Sequence, residues 1–242
     1  MLMSRYLTKE ERMEELLTKI RRAAHVHINQ HFVYSGGDHG DGYGDYRPLG
    51  RRPEFAPILR EVALLLLRRT IAKVPFDMTE PLVLIGPQTL GAQMVTQIYY
   101  APANELEDIV PTRSLLRLMT FKKTEQGFEW SQSPQDIVVP VSQVVWFDDM
   151  LNAGSTFEKT NQLIKEQCAY IAAVCVIGNR SRKTAADLGV SHLEAFETLE
   201  MERYPEDECP LCKSHVPITR HPGHGWKFEQ DHPDYPGGFV NI

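Results

Sequence analysis

The sequence is sparing with cysteine. It has four in 242 residues, and they suggest no disulfide framework, so a reducing cytoplasm is the expected setting. It also lacks a long apolar run. The longest block, Val62 to Leu67, is far too short to span a bilayer, and the charged N-terminus "MLMSRYLTKEERMEELLTKI" has no apolar signal core. No basic excess is present: the formal net charge is −6, which argues against binding to nucleic acid or a membrane surface. There is no Gly-Lys-Ser/Thr, so no Walker-type phosphate loop. There is no internal repeat and no low-complexity tract. Length and a 42% hydrophobic content suffice for one sizeable core with an appendage.

What is present is an alternation. Leu7 to about Ile28 reads as an amphipathic helix, with Thr8 and Glu11 at capping-box spacing. The Gly-, Asp- and Pro-rich "HFVYSGGDHGDGYGDYRPLGRRP" predicts loop or a short hairpin, its glycines forming a turn. Glu54 to Val74 predicts a second, Leu-rich helix. Then apolar runs at 81–85, 114–121, 144–147 and 170–178 predict strands, with helices from Ala92 and over Thr156–Gln167 between them. Apolar strands separated by helices imply an α/β fold with a parallel sheet covered on both faces. Ligands of such sheets sit at the carboxyl ends of the strands. The tail from about Tyr204 predicts irregular structure, so the expected division is 1–203 and a 204–242 extension.

Two of those strand ends carry unusual chemistry. In "VVWFDDMLNAGST" (144–156), the adjacent carboxylates Asp148 and Asp149 repel each other at the end of an apolar strand. A loop of small residues follows, Asn152-Ala153-Gly154-Ser155-Thr156, leading into a helix. Its amides, two hydroxyls and positive helix end suit a phosphate, and the carboxylates upstream suit a sugar diol or a developing positive charge. Together these describe a ribose phosphate. The plainer alternative is a solvated acidic turn followed by a helix cap.

This stretch resembles the phosphoribosyl diphosphate (PRPP) motif of type I phosphoribosyltransferases, and further segments resemble the orotate phosphoribosyltransferases. The "HFVYSGGDHGDGY" segment (31–43) is similar to the N-terminal Phe-x-x-x-Ser-Gly segment that helps form the base pocket. "LIGPQTLG" (84–91) looks like the pyrophosphate-binding loop, "FKKTEQG" (121–127) lies where the family has a mobile catalytic loop, and "IGNRSR" (177–182) sits where an Asp-Arg pair recognises the orotate carboxylate. The resemblance implies a type I phosphoribosyltransferase-like sheet flanked by helices, with an N-terminal hood. It implies catalytic roles for Asp148, Asp149, Lys122 and Lys123. PRPP binding would fall to Asn152, Ala153, Gly154, Ser155, Thr156, Gly86, Gln88, Thr89 and Gly91, and base binding to Arg180, Ser35, Gly36 and Tyr43. It also implies magnesium carried by PRPP, small-molecule substrates and a homodimer.

The chain departs from the family pattern at Gly37, where Lys is usual, at Gln88 and Leu90 in the pyrophosphate loop, at Phe121 and Gln126 in the mobile loop, at Asn152 and at Asn179. The sugar-phosphate grip is thus better preserved than the base- and leaving-group segments. Three readings stay open: an orotate enzyme, a transferase for another nucleobase, and a non-catalytic PRPP- or nucleotide-sensing regulator. The tail adds Cys209-Pro-Leu-Cys212 with His215, His221 and His224 nearby. Two thiolates two residues apart can close one side of a zinc tetrahedron, and the expected ligands are Cys209, Cys212, His215 and His221. Packed, reduced cysteines are the reading preferred over a bound zinc. Cys168 and Cys175 are expected in the core, and His25, His27 and His31 on the surface or lining a pocket rather than acting as ligands.

Overall fold

A computed structural model describes residues 9–77, 79–110, 113–134 and 143–242. The expected helix start at Leu7 and cap at Thr8 lie outside these residues. The first helix, α1 (Lys9–Ala23), stops before Ile28. His25, Val26, His27 and Ile28 instead open strand β1 (His25–Val33), which pairs antiparallel with β2 (His39–Asp45). The cross-strand partners Val26↔Gly44 and Ile28↔Gly42 explain the difference: β-branched residues take the extended form when a partner strand is available. The glycines expected in a turn, Gly40, Gly42 and Gly44, are in β2, and only 34–38 connect the strands.

After the short α2 (Pro48–Arg51), α3 (Ala56–Ile71) buries Leu59, Val62, Ala63, Leu66 and Leu67, as its Leu-rich centre predicts. Strand β3 (Leu82–Pro87) is buried throughout. Then follow α4 (Leu90–Tyr99), α5 (Ala103–Leu106), β4 (Leu116–Thr124), β5 (Gly127–Trp130), β6 (Gln143–Leu151), α6 (Ser155–Lys165) and β7 (Tyr170–Asn179). The chain continues through α7 (Ala185–Leu188), β8 (His192–Thr198), β9 (Arg203–Tyr204), α8 (Pro210–Lys213), β10 (Ile218–Thr219), α9 (Gly225–Asp231) and β11 (Phe239–Val240). No described helix is long and apolar enough to cross a membrane.

These elements form two compact units. The first takes Leu49–Leu199 and the described residues before Leu17. Its six-stranded sheet has the order β5-β4-β3-β6-β7-β8. Every neighbouring pair is parallel except β4–β5, so the architecture is α/β with one antiparallel edge strand. Trp146, Phe121, Met119, Val174 and Phe157 lie in its core. Cys175 is buried as expected, whereas Cys168 is exposed, in the turn leaving α6 at φ +56°.

The second unit joins Leu17–Pro48 to Glu200–Ile242 around a five-stranded sheet, β11-β10-β1-β2-β9. The compact units therefore do not divide at 203/204. The tail is also not irregular: β9 pairs with β2, β10 with β1, and Val33, Ile218 and Phe228 make a small core. Strands of two residues leave no periodicity to read, and their partners lie far away in the chain.

Candidate active site

The sheet order of the first unit places its crevice. From β3 the chain passes to β4 on one side, then returns to β6 on the other, so the winding reverses between β3 and β6. Ligand crevices of open α/β sheets lie at such a reversal, beyond the carboxyl ends of the strands. The β3–β6 ladder stops at Ile85↔Trp146, while β6 continues alongside β7 to Leu151↔Asn179. Asp148 and Asp149 thus lie within β6, past the point where β3 leaves it. The turn after β3 fills the gap. A side chain at Gly91 would meet the carbonyl oxygen of Phe147 and come within 3.3 Å of the Asp148 Cα, so only glycine allows this approach. In that turn Gln88 and Thr89 are exposed, the Gln88–Thr89 peptide is cis, and the Gln88 amide donates to the Phe121 carbonyl at 2.8 Å.

The two acids differ in environment. Asp148 is only 9% exposed. Burial, reinforced by the charge of Asp149, pushes its carboxyl well above the usual carboxylate range. The Asp149 amide donates to Asp148 Oδ1 at 2.9 Å, which offsets this in part. The native state therefore holds the Asp148 proton more tightly than the unfolded chain does, and stability falls as pH rises from about 3.9 through the raised value. Asp148→Asn is expected to be more stable than the wild type at neutral pH, the advantage vanishing below about pH 4. Thermal midpoints of both proteins across that range check this.

The small-residue loop closes onto α6. Gly154 occupies the helix N-cap at φ +91° with no side-chain cap, so the first-turn amides have no protein side chain in that role. The helix start is held to β6 from below. Trp146 Nε1 donates to Thr160 Oγ1 at 3.0 Å, Thr160 donates to the Thr156 carbonyl at 2.9 Å, and Phe157 packs edge-to-face on Trp146 at 5.4 Å. Asn152 to Thr156 line a small cleft of about 120 Å³. Lys183 belongs with this loop and was not among the residues expected from sequence. Its Nζ lies 2.9 Å from where a Gly154 Cβ would sit, and it pairs with Glu158 at 3.2 Å. No motif marks it; only the return of the chain after β7 brings it there.

Arg180 follows β7, its amide donating to the Leu151 carbonyl at 2.9 Å. Asn179, where the family has Asp, accepts from the amide and hydroxyl of Ser181 at 3.0 and 2.7 Å, so it builds the turn that carries Arg180. Lys122 and Lys123 lie on β4, beyond the Pro87↔Phe121 pair and hence at the same sheet end as the 88–91 turn. The expected mobile loop is here a hairpin: Lys122 lies opposite Glu129 of β5 and pairs with it at 2.9 Å. The four-residue β5 opposite Lys122 and Lys123 is what makes the segment regular.

Ser35, Gly36 and Tyr43 belong to the second unit. Ser35 and Gly36 are exposed in the β1–β2 turn, and Tyr43 packs on Phe32 at 5.6 Å. The structure brings Cys209 and Cys212 together with His31 and His39 rather than with His215 and His221. The ligand set expected from sequence is corrected accordingly: β1 and β2 carry imidazoles to the Cys-Pro-Leu-Cys turn, a long-range pairing that local spacing does not reveal. His31 is buried, not on the surface. Burial, with His31 beside it, pulls His39 down to about 4, and burial also lowers His31.

No family model matches the chain. It is 27% identical over 199 residues to the orotate phosphoribosyltransferase of Thermotoga maritima, spanning 81% of this chain and 92% of that protein. The crystal structure of Mycobacterium tuberculosis orotate phosphoribosyltransferase in complex with inorganic phosphate superposes with a TM-score of 0.52 at 17% identity, over 77% of this chain and 95% of that one. The adenine phosphoribosyltransferase of Thermoanaerobacter pseudethanolicus gives 0.50 at 14% identity, over 76% and 99%. The chain thus has the fold seen in phosphoribosyltransferase structures. Over most of its length the chain is similar in sequence to orotate phosphoribosyltransferases. These relatives are named as enzymes, and nothing among them favours the regulator reading.

Proposed function

We propose that this protein transfers the 5-phosphoribosyl group of PRPP to a nucleobase, orotate, with release of pyrophosphate. The observation that supports it is the juxtaposition at the β3–β6 reversal: a carboxylate doublet, an uncapped helix start at Gly154, and the Gly86–Gly91 turn pressed against the doublet. The 5-phosphate sits on the amides of Ala153 to Thr156, with Ser155 and Thr156 hydroxyls and Lys183 as further donors. The ribose hydroxyls donate to Asp148 and Asp149. As the C1–O bond to pyrophosphate breaks and the C1–N bond to the base forms, positive charge grows on the ribose, and the carboxylates stabilise it. Pyrophosphate leaves with the bonding electron pair, and the base nitrogen gives up its proton to solvent.

The hard oxygen donors of Asp148 and Asp149 would suit magnesium brought in with PRPP, which would supply positive charge beside the leaving group. Amides of the 86–91 turn hold the pyrophosphate, and Lys122 and Lys123, at the same sheet end, supply cations to it. Lys122 must first leave Glu129, an exposed pair that holds it weakly. Arg180 offers a planar fork to the orotate carboxylate. For Ser35, Gly36 and Tyr43 of the second unit, a part in base binding rests on the resemblance alone. The proposal includes a homodimer, as the resemblance implies, and a cytoplasmic setting, as the cysteine usage suggests.

Incubation with PRPP and magnesium against a panel of bases, following pyrophosphate release, tests the reading. Turnover with orotate alone is the expected result. Turnover only with another base would replace orotate, and tight PRPP binding without release on any base would remove the catalytic assignment. In the same assay Lys183→Ala is expected to raise KM for PRPP about tenfold, the worth of one charge-assisted hydrogen bond, with kcat little changed.

A further inference from the structure

The Cys209/Cys212 turn has no place in this reaction, yet it meets two buried imidazoles. His31 Nε2 lies 2.9 Å from His39 Nδ1, and Cys212 Sγ lies 3.1 Å from that same nitrogen. Cys209 Sγ and Cys212 Sγ are 3.6 and 3.7 Å from His31 Nε2. All four donor atoms fall within 4.8 Å of one another. With Zn–S near 2.3 Å and Zn–N near 2.0 Å, a zinc tetrahedron has donor–donor edges of about 3.3–3.8 Å. The four distances given above, 2.9–3.7 Å, lie within a few tenths of an ångström of such edges. We propose that His31, His39, Cys209 and Cys212 hold one structural zinc ion.

The surroundings support this. His31 Nδ1 donates to the Val216 carbonyl at 2.9 Å, which leaves the Nε2 lone pair facing the cluster. Ligating histidines are commonly oriented by such a bond. Tyr235 donates to the same carbonyl at 2.8 Å, and the Phe228 ring stands edge-on to His39 at 5.0 Å. His31, His39 and Cys209 are fully buried and Cys212 partly so, giving a closed site of the structural kind with two soft and two borderline donors.

The second unit also needs a fastener. It is assembled from two segments far apart in the chain, around a small core with two-residue strands. A core this small is commonly supplemented by a metal or disulfides, and metal affinity then adds to folding free energy. The ion would join both ends of the β1–β2 turn, at His31 and His39, to the start of α8. This holds whether or not the phosphoribosyl reading is correct.

The full-length protein, purified without chelator, is expected to carry one zinc per chain by mass spectrometry of the metal. Replacement by cobalt(II) is expected to give tetrahedral d–d bands with thiolate charge transfer. His39→Ala and Cys212→Ser should lose the metal, whereas His215→Ala and His221→Ala keep it. His39→Cys should retain one equivalent with a shifted cobalt spectrum, which separates loss of a ligand from loss of the fold. A wild-type protein that takes up no zinc on titration would overturn the proposal, as would His31 and His39 variants that bind it like the wild type.

Discussion

Asp149→Asn is expected to lower kcat by about 10²–10³-fold, the usual scale for removing one preorganised group that stabilises transition-state charge. The substitution keeps size but turns one acceptor oxygen into an NH2 donor and removes the negative charge that answers the positive ribose. Unlike Asp148, Asp149 is half-buried. Its neutralisation should move the thermal midpoint by no more than about 2 °C. Steady-state turnover beside thermal unfolding checks both halves. Near-normal turnover would remove Asp149 from the mechanism. The contrast with Asp148→Asn is informative, because that variant should lose activity while gaining stability at neutral pH. A buried acid whose charge is costly to the fold but wanted by the reaction shows this opposition.

Gly91→Ala should separate the geometry of the crevice from its charges. The added methyl would meet the Phe147 carbonyl and lie 2.8 Å from Pro87 Cδ. A carbonyl in a central strand cannot rotate away, so the 88–91 turn must withdraw from β6. The expected destabilisation is about 1–3 kcal/mol, as for overpacking elsewhere. The expected loss in kcat/KM is about 10²-fold, because a misplacement near 1 Å in the leaving-group cradle is enough. Urea unfolding and pyrophosphate release measure the two effects. Activity close to wild type would mean that the turn does not hold pyrophosphate.

The elements that form the crevice were legible because their signals are local and strong. Leu82 to Ile85 and Val144 to Phe147 are apolar runs of strand length, and Gly154 precedes a helix-period pattern at Phe157, Thr160 and Ile164. Where partners lie far off in sequence, local reading failed. Val26 and Ile28 read as a continuation of the helical pattern before them but pair with Gly44 and Gly42. Lys122 and Lys123 escaped for a nearer reason: they are polar enough for a loop, yet Gly127–Trp130, a few residues on, pairs with them. Ile218, Phe228 and Phe239 have no common period because each sits on a different short element of the second unit. The same limit hid Lys183, which acquires meaning only through its distance from Gly154, and His31 and His39, which the hairpin carries to the cysteines.

A crystal grown with PRPP and magnesium examines the sugar-phosphate grip itself. The expected density places the 5-phosphate on the amides of Ala153 to Thr156, the ribose hydroxyls against Asp148 and Asp149, and the diphosphate over the 86–91 turn. PRPP seated elsewhere, or absent from crystals of a protein that binds it in solution, would contradict that assignment.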